Sequence, residues 1–288
     1  LKRIGFYFLL SIIFIIGHLP LSLLYIKSHF LSFILNHIIC YRKKVIYINL
    51  QNSFPEKNKK QIQEIANKYY LHLSDLIFET IKSFYISKKQ LNKRFSYKNK
   101  FEEYAKHKTS FIFMLSHTGN WELANLFMSL HSPVKVVVVY KKISNELLNR
   151  FMLKKRSRFG SVMVEMNDIA KFMLLNKNEN LFYVFLCDQT PLPKNAYWDF
   201  FLNQETPFLK GAAILAKKMQ YPVIYGNTIK IKRGVYQTST KNITDIPNTI
   251  DEKEILHTFI KNLETDICNQ PEFWLWSHKR WKHKKTDL

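Results

Sequence analysis

Apolar residues in this chain are arranged in three different ways, and each arrangement predicts a different element. The first is a continuous run, Ile4–Tyr25, with no ionised side chain over 22 residues. That length predicts a helix able to cross a bilayer. Gly17, His18 and Pro20 weaken its second half, so a kinked span or an embedded hairpin fits the pattern equally. A shorter run, Phe30–Cys40, reads as a segment lying in a membrane interface. The second arrangement is helical spacing: over 57–82, Ile62, Ile65, Tyr69, Leu73, Leu76 and Ile77 form one stripe. In the third, short β-rich runs at 110–116, 134–140, 181–187 and 223–231 alternate with helical stretches at 121–130, 145–158, 168–175 and 211–219. A last amphipathic helix covers 251–268. Strands alternating with helices predict an α/β fold, a mostly parallel central sheet flanked by helices. The pattern divides the chain into an N-terminal membrane-anchor helix with its interfacial segment, 1–40, and a cytoplasmic domain, 41–288.

Composition narrows the class. A hydrophobic fraction of 47% with 15% aromatics excludes a disordered chain, and 7 Gly with 9 Pro exclude a linker-dominated one. Cys40, Cys187 and Cys268 are far apart and in no paired spacing, which argues against a disulfide framework or a cysteine zinc site. A mean hydropathy of −0.20 excludes a polytopic membrane protein and allows one anchored segment. The net charge of +22 favours a polyanion, either nucleic acid or an anionic membrane surface. Lys2 and Arg3 before the apolar run, with Lys27, Arg42, Lys43 and Lys44 after it, point the long C-terminal part to the cytoplasm. No small-residue cleavage site follows the run, so an uncleaved anchor is expected.

Ligands in α/β sheets bind beyond the carboxyl ends of the strands. Two such ends carry conspicuous polar residues. The first is Ser116-His117-Thr118-Gly119-Asn120-Trp121-Glu122. A carboxylate bonded to one imidazole nitrogen would fix the tautomer, leaving the other nitrogen to take a proton from a hydroxyl. Read this way, Glu122 orients His117. The alternative is a capped helix start, where an acid in the first turn is favoured by the helix dipole. The second end is Cys187-Asp188-Gln189-Thr190-Pro191, which also reads as a turn. Between them, Arg156-Ser157-Arg158-Phe159-Gly160 fits either a phosphate contact or an ordinary helix C-terminus.

Taken in order, these blocks resemble a known family. Ser-His-Thr-Gly-Asn-Trp-Glu at 116–122 is similar to the His-(four residues)-acid motif of glycerolipid acyltransferases, in the form found in late lipid A acyltransferases of Gram-negative bacteria. Asn49-Leu50 with Phe54-Pro55-Glu56, Arg158-Phe159-Gly160, Asp188-Gln189 with Phe200-Phe201, and Pro271-Glu272 through Trp276-x-His278-x-Arg280 resemble further blocks of the family. Thr118, Lys141 and Lys279 depart from its pattern, which bears on acceptor and acyl-chain preference.

The resemblance implies transfer of a fatty acyl group from a thioester donor, typically acyl carrier protein, to a hydroxyl of a phosphorylated glycolipid acceptor. His117 would be the general base and Glu122 its orienting acid. Asn120 and Arg158 are candidates for the oxyanion or acceptor, and Lys141, Asp188 and Gln189 for shaping the substrate site. No cofactor and no metal are implied. The implied location is the cytoplasmic face of the bacterial inner membrane, with the anionic membrane and not nucleic acid as the polyanion. The densest basic cluster, His278–Lys285, lies beside Trp274, Trp276 and Trp281, a set that suits a bilayer interface. The rivals are the same chemistry on a lysophospholipid, an amino-acid lipid or another glycolipid, a basic membrane-tethered nucleic-acid binder, and an inactive scaffold.

Overall fold

Proline at position 20 has no N–H with which to continue a helix, and the long apolar run is broken there. The computed structural model describes residues 2–98 and 109–285. In it the run forms two helices, α1 (Lys2–His18) and α2 (Leu21–Phe33), with a π-type turn at Ile34–Ile38 continuing α2. The second apolar run is therefore the end of α2 rather than a separate segment. The side chains of Lys2 and Arg3, invoked for orientation, lie outside the described residues. Among the described residues, no single helix is long and apolar enough to cross a membrane. Leu21–Ile38 and Lys43–Ser53 qualify only together, and they are bent by 89°. Of the forms that the run over 4–25 allowed, one unbroken helix is not what forms; the break falls at Leu19 and Pro20.

Next come α3 (Lys43–Ser53), α4 (Lys59–Ser83) and α5 (Lys88–Asn92), leading to β1 (Phe95–Tyr97) and β2 (Phe111–Leu115). The alternating part continues with α6 (Trp121–His131), β3 (Lys135–Tyr140), α7 (Glu146–Arg156), β4 (Val162–Glu165), α8 (Ile169–Leu175) and β5 (Leu181–Leu186). A hairpin of β6 (Ala196–Phe201) and β7 (Gln204–Leu209) follows where the sequence suggested an aromatic loop. The remaining elements are α9 (Gly211–Met219), β8 (Val223–Lys232), β9 (Val235–Thr244) and α10 (Glu252–Asn269). The sheet order is β1-β9-β8-β2-β5-β3-β4. Among the described strands of this sheet only β8 and β9 pair antiparallel. The expected mostly parallel α/β sheet is what forms.

Both faces of the central strands are covered, as a parallel sheet requires. Successive side chains of a strand point to opposite faces. On β2, Phe111, Phe113 and Leu115 therefore join a core with Leu123 and Phe127 of α6, while Ile112 and Met114 join a second core with α4, α9 and α10. That second core also takes in Trp274 and Trp276, both buried, with Trp281 stacked on Phe201. The three tryptophans are thus packing residues, not a bilayer belt. Their sequence neighbours are basic, but the indoles fill the space beneath the β5 end.

On the inner face of α2, polar side chains are buried beside Leu21 and Leu24. Tyr25 and Ser28 point inward from α2 onto α4, where they donate to Glu79 (2.8 Å) and Asp75 (2.6 Å). Lys230 and Arg233 from the β8–β9 end also bond Asp75. The outward face carries Phe8, Ile15, Ile26, Phe30 and Phe33, all exposed.

Candidate active site

Strands β2 and β5 are neighbours in parallel register, Leu115 opposite Leu186, and Cys187 N–H donates to the Leu115 carbonyl at 2.9 Å. Their carboxyl ends stop side by side, so the residues that follow the two strands meet. His117 Nδ1 lies 2.6 Å from Asp188 Oδ1. The other carboxylate oxygen accepts the His117 backbone N–H (2.9 Å) and the Trp274 indole N–H (2.8 Å). Burial by itself would raise the Asp188 carboxyl; the His117 charge, the bonds from His117 and the Trp274 bond outweigh it and hold it down at about 2. Such a fixed carboxylate accepts an N–H, so His117 carries its proton on Nδ1 and presents a lone pair at Nε2. The Gln189 amide nitrogen stands 3.3 Å from that Nε2 and donates to it. Gln189 thus caps the atom that an incoming hydroxyl would use.

Glu122 does not reach His117. It is held by Arg156 through Nε (3.0 Å) and Nη2, a two-point grip across α6 and α7. The reason is angular: adjacent helix residues diverge by about 100°. Trp121, in the first turn of α6, meets the His117 ring edge-on at 4.9 Å, so Glu122 faces α7 instead. The His117–Glu122 hydrogen bond expected from their spacing is replaced by His117–Asp188, a pairing set by strand adjacency.

The intervening loop is clamped. Asn120 caps α6, its Oδ1 accepting the Leu123 N–H at 2.9 Å, while its amide donates to buried Glu79 at 2.7 Å. Gly119 sits at φ +57°, and a Cβ there would lie 2.5 Å from the Thr228 carbonyl oxygen. Only glycine tolerates both the left-handed backbone and that approach. Gly119 N–H also donates to the Phe273 carbonyl at 3.0 Å. Asn120 is thus a scaffold for the loop, with both ends of its side chain occupied.

Arg158 and Lys141 are not gathered around His117. Arg158 is exposed, stacks on Phe159 at 4.6 Å, and donates to the Ser83 carbonyl at 2.8 Å, at the end of α4. Here the residue expected as a ligand or oxyanion contact serves the α4 C-terminus, because the chain leaves α7 in that direction and carries the guanidinium there. Lys141 follows β3 directly and is exposed. The arginine that engages the motif is Arg156, two residues earlier.

The closing block wraps beneath Asp188. Thr190 N–H donates to His278 Nε2 at 3.3 Å, and burial pushes this imidazole down to about 4. Arg280, fully buried, donates to Thr190 Oγ1 at 3.3 Å and stacks on Phe208 at 4.4 Å. Burial lowers it to about 9, with Asp188 opposing. Beside His117 lies a narrow crevice, closed to water in this structure, whose walls include Tyr69, His72, Leu76, Trp121 and Phe273. Sequence reasoning overlooked Trp274 as a carboxylate partner, Arg156 as the partner of Glu122, and His72. Trp274 and Arg156 stood inside recognised blocks; His72 carried no local signal.

A family model described as bacterial lipid A biosynthesis acyltransferase matches residues 1–283, the span of every block quoted above. A search of curated proteins finds no match. The chain belongs to the bacterial lipid A biosynthesis acyltransferase family and is an acyltransferase of lipid A, working between an acyl donor and a lipid acceptor.

Proposed function

We propose that His117 is the general base of an O-acyl transfer, that Asp188 is its orienting partner, and that the donor is an acyl thioester carried by acyl carrier protein. The observation that carries this is the 2.6 Å His117 Nδ1–Asp188 Oδ1 contact, which leaves Nε2 facing the cleft. The acceptor hydroxyl gives its proton to Nε2 as its oxygen attacks the thioester carbonyl carbon. Asp188 stabilises the imidazolium. The C–S bond then breaks, and the departing thiolate takes the proton back from Nε2. Gln189 vacates or shares Nε2 as the hydroxyl arrives. Glu122 acts through Arg156 as a positioning residue that fixes α6, and with it Trp121, against α7. Lys141, exposed just after β3, is suited to an acceptor phosphate.

The outward apolar face of α1 and α2 supports seating on the cytoplasmic side of the inner membrane of a Gram-negative bacterium, with residues 1–40 in or on the bilayer. The +22 charge supports attraction to anionic lipid and to an acidic carrier protein.

The test compares His117→Ala, Asp188→Asn and Glu122→Gln in acyl transfer from acyl carrier protein to a lipid A precursor. The first two are expected to lose about 10²–10⁴-fold in kcat, and Glu122→Gln less, together with some thermal stability. Near wild-type turnover in Asp188→Asn beside an inactive but folded Glu122→Gln would return the orienting role to Glu122.

A further inference from the structure

The cleft beside His117 holds a second imidazole. His72 projects from α4 and is only 3% exposed, yet neither ring nitrogen has a hydrogen-bond partner. The Gly119 carbonyl lies close enough to favour its charged form, but no bond of proper geometry closes. Leaving a buried polar group in this state is unfavourable unless something else satisfies it. Of the described residues lining this cleft, His72 alone has buried side-chain polar atoms without partners. Its neighbours are already engaged. The Tyr69 hydroxyl accepts Ser277 N–H, and Trp274 Nε1 is bound to Asp188. The remaining walls include Leu73, Leu76, Phe273 and Leu275, an apolar lining that is packed shut here and must part to admit an alkyl chain.

We infer that His72 is a further catalytic residue, a ring N–H of which donates to the acyl carbonyl oxygen that becomes the oxyanion when the acceptor hydroxyl attacks. The inference rests on the acyl-transfer reading with His117 as base. An alkyl chain on the apolar walls brings its carbonyl end toward the two imidazoles. One takes the proton, and the other holds the developing charge. The electron pair of the C=O bond moves onto oxygen as the new C–O bond forms, and it returns to expel the thiolate. A donor aimed at that oxygen before reaction costs no reorganisation in the transition state. Phe273, edge-on at 4.9 Å, holds the ring in place. Burial, with Lys230 nearby, pushes the His72 imidazole down to about 3, so it stays neutral and does not compete with His117 for the proton. A neutral imidazole acting as electrophile is an established catalytic arrangement.

The experiment measures kcat and KM for transfer from a dodecanoyl thioester of acyl carrier protein to a lipid A precursor, with thermal stability of each variant. His72→Phe keeps the ring packing and removes the donor; His72→Gln restores an N–H. His72→Phe is expected to lose about 10²–10³-fold in kcat, with KM little changed and stability equal or higher. His72→Gln is expected to recover part of that loss. Wild-type kcat in folded His72→Phe overturns the inference, as does a rise in KM at constant kcat, or a loss in both variants that tracks stability. His117→Ala is assayed alongside: retained activity there refutes the base reading, whereas a dead His117→Ala beside an active His72→Phe refutes only the role of His72.

Discussion

The cleft region and the N-terminal helices follow opposite rules. Around His117 the sheet is conventional: apolar residues fill the interior on both faces, and the polar groups gather at the strand ends. In α1 and α2 most of the aromatic and aliphatic side chains face outward, while Tyr25 and Ser28 of α2, with Asn36 of the turn that follows, face inward beside buried Leu21 and Leu24 to meet Glu79, Asp75 and Asn67. The two regions meet in Glu79, which accepts from Tyr25 of α2, from Tyr236 of β9 and from Asn120 of the His117 loop. Burial raises the Glu79 carboxyl, against Lys230 and these three hydrogen bonds. Apolar character alone therefore does not mark the core here. Polar side chains decide which way α2 faces, because a buried carboxylate must be paired. A segment that reads as a detachable anchor is, in its inner face, part of the catalytic body.

The sharpest way to break this comparison is at Asp75, which the α2 hydroxyl of Ser28 and the cations Lys230 and Arg233 all share. Asp75→Ala should cost about 3–5 kcal/mol, the usual result of stranding one side of a buried ion pair, read by thermal unfolding. A cost below 1 kcal/mol would mean that the inner face of α2 is not held by its polar contacts. On the outer face the expected effect is different in kind. Phe30→Ser should leave unfolding unchanged and weaken partition into anionic phospholipid vesicles by about 1.5–3 kcal/mol, the worth of one large apolar side chain. Unchanged partition would remove α2 from the proposed bilayer contact.

The cleft region supplies a pH signature of its own. The Asp188 carboxyl is lower in the folded protein, about 2 against an ordinary 3.8. A depressed carboxyl adds stability that is complete above the unfolded value and lost as pH falls through the folded one. Asp188 should thus contribute about 2 kcal/mol above pH 5, declining between about pH 4 and pH 2. Acid unfolding of Asp188→Asn should show a correspondingly flatter dependence in that window; an unchanged acid limb would deny the strength of the pair. The smallest effect is expected at Arg158, where only the α4 terminus is served. Arg158→Lys should be nearly neutral in activity, and Arg158→Ala should cost about 0.3–1 kcal/mol in stability. Loss of activity in stably folded Arg158→Lys would restore a ligand role.

Periodicity along the chain determined the elements with strong local patterns. Strands 110–116, 134–140, 181–187 and 223–231 and the helices between them all form within a residue or two, and Gly211–Met219 forms as expected. The chain's blocks also determined its family. Weakly patterned pieces escaped notice: the three-residue β1, the four-residue β4 and the β6–β7 hairpin are short, half-buried or rich in aromatics that read as loop. The site was legible as a set of residues but not as a set of contacts. His117, Asp188 and Gln189 could each be placed at a strand end, because a strand end is a local property. That the ends of β2 and β5 touch depends on sheet order, which places β5 between β2 and β3 although β3 and β4 precede it in the chain. Spacing in sequence favoured Glu122 as the partner of His117; the 100° turn of the helix and the position of α7 gave it to Arg156 instead. The direction of the N-terminal apolar run was undetermined for the same reason. Its length and lack of charge are local, whereas the buried carboxylates that turn its polar side inward come from α4, some 50 residues along the chain.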